Sequence, residues 1–71
     1  MLVKFDNPDN GRFYYLCTHR DLFNDLVLTV IRGGKNGSRV ERHYGFKDLL
    51  SIYAEIKRIS KIRLSHGYEL S

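Results

Sequence analysis

The sequence lacks the features that are typical of secreted and membrane proteins. It contains no tryptophan, one proline and one cysteine among 71 residues. The single cysteine, Cys17, has no partner for an internal disulfide, which is typical of a reducing compartment. No apolar run approaches the roughly 20 residues that cross a membrane, and residues 1–5 are too short for a signal peptide. The sequence therefore predicts a cytoplasmic protein without a membrane segment.

Residue clusters that bind metals or perform catalysis are also missing. Cys17 and His19 are close in sequence, but His43 and His66 are remote, and these spacings match no familiar zinc site. No Ser-His-Asp order or paired carboxylates are present, and so short a chain has little room for a substrate cleft. The sequence predicts no metal, no cofactor and no enzyme activity. Cys17 is interpreted as a small buried hydrophobic side chain.

The chain length permits a single domain, residues 1–71, with a small core. A hydrophobic fraction of 42% and an aromatic fraction of 13% indicate a folded domain. Neither disulfides nor a metal would reinforce this core, so we expect oligomerisation or membership of a larger assembly.

The positive charge is concentrated in the second half of the chain. The net charge is +4, and residues 31–71 carry nine Lys/Arg against four Asp/Glu, whereas residues 1–30 carry three against four. A basic face of this kind is compatible with binding to phosphate backbones, with binding to acidic proteins, or with a role in solubility alone.

Three segments have strand-like composition and short length, and a fourth is ambiguous. The predicted strands are residues 12–17, 26–32 and 39–44. Val40, Arg42 and Tyr44 should share one face of the last strand, with Arg39, Glu41 and His43 on the other. Residues 1–10 are predicted to form a short edge strand or a loose tail. Residues 18–25 are predicted to form a loop in which Leu22 and Phe23 are an apolar plug.

The hydrophobic period changes to that of a helix from Phe46 to about Arg63. Its apolar stripe contains Leu49, Ile52, Tyr53, Ile56 and Ile59. We expect Gly45 as the N-cap, Asp48 in the first turn, Gly67 near the C-cap, and residues 68–70 returning to the sheet. The predicted fold class is α+β: a small antiparallel sheet of three to four strands with one helix packed on one face.

A glycine-rich turn with positive flanks separates the last two predicted strands. The turn contains Gly33, Gly34 and Gly37, and Arg32, Lys35 and Arg39 surround it. Backbone N–H groups of a glycine turn and nearby cations suit phosphate, and Arg63 could reach toward the same hairpin from the helix. The predicted phosphate contacts are Arg32, Lys35, Arg39 and Arg63, with the turn backbone of the three glycines. The alternative is a solvated hairpin in which Arg32 pairs with an acid such as Glu41.

The order of these segments resembles a WGR domain, a family named for Trp-Gly-Arg at the end of a strand. The resemblance runs from Asn10 onward and rests on five features: Arg12-Phe13-Tyr14; Asp21-Leu22-Phe23, as in the short bacterial members; the apolar Leu28 before the motif; Arg32 with Gly34 and Gly37; and the ending Arg63 to Tyr68, with arginine for the usual lysine. Val30 and Ile31 stand where the family has its tryptophan and first glycine. In poly(ADP-ribose) polymerases the domain touches a DNA end, and its tryptophan packs on the terminal nucleotide. The resemblance therefore implies a module that binds DNA ends. Val30 cannot stack in that way.

Two functions of different classes follow. The first is a non-catalytic nucleic-acid-binding module, for DNA in the first place, that uses the basic hairpin without reading base sequence. The second is a protein-interaction or homo-oligomerising module that docks an acidic partner or a second copy. In that second case Val30 and Ile31 would form an exposed apolar spot.

Overall fold

The computed structural model describes all 71 residues and contains five strands and one helix. The elements are β1 (Leu2–Asp6), β2 (Phe13–Arg20), β3 (Leu26–Gly33), β4 (Arg39–Phe46), α1 (Leu49–Ser65) and β5 (Glu69–Leu70). The strands form one antiparallel sheet in the order β4-β3-β2-β1-β5. The predicted α+β fold with one helix on one face is confirmed, with one strand more than the three to four expected. No helix has the length and apolar character needed to cross a membrane.

The N-terminal segment is an internal strand and not an edge strand or a tail. β1 pairs with β2 on one side and with β5 on the other. Its Phe5 is almost fully buried and lies in register with Leu70. The expected return of the C-terminus to the sheet therefore occurs, and it is this return that moves β1 away from the edge.

Leu22 and Phe23 do not plug the core, and this prediction was wrong. β2 extends to Arg20, and the loop that follows is closed by its own hydrogen bonds. The Asp21 carboxylate accepts from the backbone N–H groups of Phe23 and Asp25, both at 2.9 Å. The loop therefore turns beyond the end of the sheet, where Leu22 is 99% and Phe23 83% exposed.

The alternation of side chains along the strands gives the sheet two unlike faces. The face under α1, called here the covered face, carries Phe5, Leu16, Leu28 and Val30, which pack against Ile52, Ile56 and Ile59 of the helix. Leu49 and Tyr53, also assigned to the apolar stripe, are about half exposed. Val30 is only 5% exposed and belongs to this core, so it does not form an exposed apolar spot.

The opposite face, called here the open face, has no element packed on it. Residues that pair directly across antiparallel strands share a face. The register therefore places these side chains on the open face: Leu2, Lys4 and Asp6; Phe13, Tyr15, Cys17 and His19; Val27, Thr29 and Ile31; Arg39, Glu41 and His43; and Glu69. Cys17 is half-buried on this face and is not a core residue.

Helix α1 begins three residues later than predicted. Phe46 ends β4, where it pairs with Leu26, and Asp48 is the N-cap in place of Gly45. Asp48 has extended backbone angles, and its carboxylate accepts a hydrogen bond of 2.8 Å from the backbone N–H of Ser51. The N-cap role of Asp48 explains the later start, because an aspartate in this position satisfies a free N–H group of the first turn.

The C-terminal end of α1 is a Schellman motif. Gly67 has φ of +87°, its N–H donates to the Leu64 carbonyl, and the Tyr68 N–H donates to the Arg63 carbonyl at 3.1 Å. The buried Asn7 ties this end to the β1–β2 turn, because its side-chain amide donates to the His66 carbonyl at 3.3 Å. The helix end and the first turn of the sheet are thus held together.

Replacing Ile56 tests the assigned helix face. Ile56 is 8% exposed in the core, so Ile56→Ala should lower the free energy of unfolding by about 2–4 kcal/mol in urea denaturation. Ala54 lies on the exposed side of α1, so Ala54→Lys should change the stability little. Equal losses at the two positions would show that the face is wrongly assigned.

The N-cap predicts a contribution to stability that depends on pH. The Ser51 backbone N–H, followed by the Ser51 side chain, lowers the pKa of Asp48 below its ordinary value. A lowered pKa in the folded state gives stabilisation above the ordinary aspartate pKa of about 3.9, which is lost as the pH falls through the folded value. Asp48→Asn should keep the cap at neutral pH and lose less stability on acidification. Melting temperatures of the wild type and of Asp48→Asn, measured across acidic pH, test this expectation. An equal fall of both melting temperatures as the pH is lowered would contradict it.

Candidate nucleic-acid interface

Four cationic side chains from four parts of the chain line one cavity of about 510 Å³. Arg12 precedes β2, Arg32 lies near the end of β3, Lys35 lies in the β3–β4 turn, and Arg63 lies in the last turn of α1. We call this cavity the cationic pocket. Its other lining residues are Asn10, Phe13, Tyr14, Gly33, Gly34, Asn36, Ser38, Val40 and Tyr68.

The topology of the sheet explains why these four residues meet. The β1–β2 turn and the β3–β4 turn lie at the same end of an antiparallel sheet, and α1 ends there as well. Lys35 lies across Gly11, so closely that a Cβ atom on Gly11 would overlap the lysine side chain. Arg12 was not among the predicted contacts. Its position directly after a turn at this end of the sheet was the available signal.

The β3–β4 turn has the conformation that its glycines suggested. The Gly37 N–H donates to the Gly34 carbonyl at 3.2 Å, and Gly37 has φ of +81°. Gly33 has a different role, because the Phe13 ring and the Ser38 carbonyl occupy the space of a side chain there. Gly33 and Gly34 line the pocket, whereas Gly37 lies outside it. The backbone N–H groups of Lys35 and Asn36 make no hydrogen bond within the protein and can donate to a ligand.

Arg63 is held in place by two tyrosine rings. Its guanidinium carbon lies 4.7 Å from the centroid of the Tyr14 ring and 5.4 Å from that of Tyr68. The rings themselves meet edge to face with centroids 6.3 Å apart. The Schellman motif brings Tyr68 beside Arg63, and β2 supplies Tyr14. The buried Nε of Arg63 has no hydrogen-bond partner. The contacts with the two rings are therefore the interactions that orient the guanidinium.

No carboxylate neutralises the pocket. The ion pairs of the structure are Arg39 with Glu41 and Arg58 with Glu55, and His43 hydrogen-bonds to Glu41; none of these contacts includes a pocket residue. The pocket lining contains no Asp or Glu. Four like charges in one concave site raise the local concentration of anions, because low-dielectric walls focus the field.

The structure places Arg39 away from the other three predicted contacts. Arg32 pairs with Val40 and faces the side of α1, whereas Arg39 pairs with Gly33 and lies on the open face. There its Nη2 donates to Glu41 at 3.4 Å. Glu41 therefore accompanies Arg39 and not Arg32, so the solvated hairpin with an Arg32–Glu41 pair is not what the structure contains.

A second group of polar side chains forms a chain across the open face. The Thr29 hydroxyl and His43 Nδ1 are 2.8 Å apart, and His43 Nε2 donates to the Glu41 carboxylate at 3.0 Å. A hydroxyl, an imidazole and a carboxylate in this order are also found in hydrolase triads. Here Thr29 is buried, and none of the three lines either cavity. These hydrogen bonds link β3 to β4, and the three side chains do not face a cleft.

Substitutions in the pocket should separate a side chain held between two aromatic rings from one that lies exposed on a turn. Arg63→Ala removes the contacts with both tyrosines and should lower stability by about 1 kcal/mol. Lys35→Ala, in an exposed turn, should leave the melting temperature almost unchanged. Thermal unfolding of the two variants measures this difference. Unchanged melting temperatures for both would mean that the rings do not hold Arg63.

The chain has no match among family models, curated proteins or solved structures. The function is therefore inferred from the chemistry of the cationic pocket.

Proposed function

We propose that this protein is a non-catalytic nucleic-acid-binding module that holds backbone phosphates in the cationic pocket. One observation carries the proposal: Arg12, Arg32, Lys35 and Arg63 converge from four parts of the chain without a carboxylate. Contacts of this kind bind phosphates and position the nucleic acid without reading its sequence.

The kind of donor in the pocket favours phosphate. Three of the four cations are arginines, whose planar guanidinium groups can hold phosphate oxygens through two parallel bonds. The guanidinium of Arg63 is already oriented, so little conformational entropy is lost when it binds. The free N–H groups of Lys35 and Asn36 add neutral donors at the rim.

The amount of charge favours a polyanion. Four cations exceed the charge of a single phosphate group, so one phosphate would leave most of their mutual repulsion uncompensated. Successive phosphates of one strand supply several charges at close spacing. The resemblance to WGR domains favours DNA, and we place the protein in the cytoplasm because its lone cysteine fits a reducing compartment. Val30 is a core residue, so stacking on a terminal nucleotide at that position is not part of the proposal.

A protein-interaction function is the second candidate, and a specific observation favours it. The open face carries half-buried apolar side chains, among them Tyr15 and Ile31, with no element packed on them.

Titration with short duplex and single-stranded DNA at several salt concentrations tests the proposal. The logarithm of the binding constant falls with the logarithm of the salt concentration, with a slope of about −0.9 per phosphate contact on duplex DNA. The four cations of the pocket therefore allow a slope of at most roughly −3.6. We expect a slope of about −2 to −3. Lys35→Ala should weaken binding by about 1 kcal/mol and reduce the slope by about one. Arg32→Ala should weaken it more, because a bidentate contact is lost.

The matched control is Lys57→Ala, which removes the same charge from the exposed surface of α1, outside the pocket. It should retain the wild-type affinity and slope. A flat salt response, no binding at low salt, or equal losses in the control would contradict phosphate binding in the pocket.

A further inference from the structure

The open face has an apolar centre between two charged borders. Tyr15 on β2 and Ile31 on β3 are direct neighbours in the register, and both are half-buried. The rings of Phe13 and Tyr15 lie 4.8 Å apart and continue this centre along β2. Leu2 is 57% exposed on the same side. A sheet whose second face is apolar at its centre commonly packs against another layer.

The charges at the borders are opposite within each row of paired residues. In one row, Asp6 on β1 pairs with Phe13, which pairs with Gly33, which pairs with Arg39 on β4. In the next row, the order is Lys4, Tyr15, Ile31 and Glu41. The β1 border, beyond which only Glu69 of β5 lies on this face, beside Asp6, is therefore negative and then positive along the strands. The β4 border is positive and then negative at the same heights.

This arrangement is complementary to itself. A two-fold axis parallel to the strands, between two facing sheets, lays each row over the same row of a second copy in reverse order. Arg39 of one copy then lies over Asp6 of the other, and Glu41 over Lys4. Ile31 lies over Tyr15 at the centre. A two-fold interface uses the same surface on both subunits, so each of these contacts occurs twice.

We propose that two copies of this chain pack their open faces together about this axis to form a dimer. Packed sheets lie about 10 Å apart and cross at about 30°. The charged residues of β1 and β4 lie about 7 Å from the axis. Rotating one sheet by about 30° relative to the other therefore displaces each pair of opposite charges by roughly 4 Å, which long side chains can span. The proposal does not depend on nucleic-acid binding.

The size of the face predicts a weak dimer. Four strands about 4.8 Å apart, with roughly seven residues rising about 3.3 Å each, outline a face of roughly 19 × 23 Å. Two such faces bury on the order of 900 Å² in total, close to the roughly 1,000 Å² that a specific interface requires. We therefore expect dissociation in the micromolar range. A folded chain with only 10 buried residues would gain a second apolar layer by this association.

Charge reversal at one pair of borders tests the dimer without nucleic acid. Glu41→Lys places lysine over Lys4 twice in its own dimer, and Lys4→Glu places glutamate over Glu41 twice. Each variant alone should therefore dissociate about tenfold or more readily than the wild type in sedimentation velocity. An equal mixture of the two variants restores both opposite pairs in the heterodimer, so association should return to nearly the wild-type level.

The mixture makes the result decisive, because a variant that failed to fold would not be rescued by the other. Lys57→Glu makes the charge change of Lys4→Glu on the exposed surface of α1 and should leave association unchanged. Thermal unfolding of each variant shows that the fold is retained. A wild type that stays monomeric up to millimolar concentration, single variants that associate like the wild type, or a mixture no more associated than its components would each overturn the proposal.

Discussion

The contact between α1 and the covered face is the constraint on which the rest of the structure depends. Three isoleucines of the helix close over four apolar side chains from β1, β2 and β3. A helix is about 10 Å wide with its side chains, whereas five strands span roughly 24 Å, so a single helix covers only part of one face. The consequence is a groove of about 380 Å³ between α1 and the β3–β4 hairpin, and an open face with nothing packed on it.

The same contact determines where the cations meet. Because α1 must lie over the core and then return to pair β5 with β1, it ends beside the two turns at one end of the sheet. Its Schellman motif sets Tyr68 against Arg63, and Asn7 fixes the neighbouring turn to the helix end. Two unit charges 4 Å apart repel by about 1 kcal/mol in water and more near protein. The four cations of the pocket thus retain a repulsion that a bound polyanion would relieve.

Local patterns in the sequence were sufficient to predict the element types and the faces of β4. Composition and short length identified β2, β3 and β4, alternation assigned the faces of β4, and Ile52, Ile56 and Ile59 recur at the helical period. The start of α1 was misplaced because Phe46 fits the end of a strand as well as an apolar helix position, and the choice depends on its pairing with Leu26. Leu22 and Phe23 were misplaced because apolar composition does not reveal that their loop closes beyond the sheet.

The pocket was harder to predict because its membership depends on long-range register. Arg32 and Arg39 flank the same turn, and both are basic. Whether they share a face depends on the number of residues in the turn, and pairing Arg32 with Val40 puts Arg39 on the opposite side. Arg12 is 20 residues from Arg32 in sequence and meets it only because two turns lie at one end of the sheet.

The two proposed surfaces lie mainly on different sides of the sheet and adjoin at Phe13 and Gly33, and their geometry couples them. A two-fold axis parallel to the strands preserves height along the strands, so it would place both cationic pockets at the same end of the dimer. A nucleic acid long enough to reach both pockets would bind the second at a high effective concentration once it had bound the first. By linkage, such a ligand would favour the dimer as strongly as dimerisation favours the ligand. The bridging requires phosphates on both outer sides of the pair of sheets, so a short strand confined to one pocket would bind the monomer and the dimer equally.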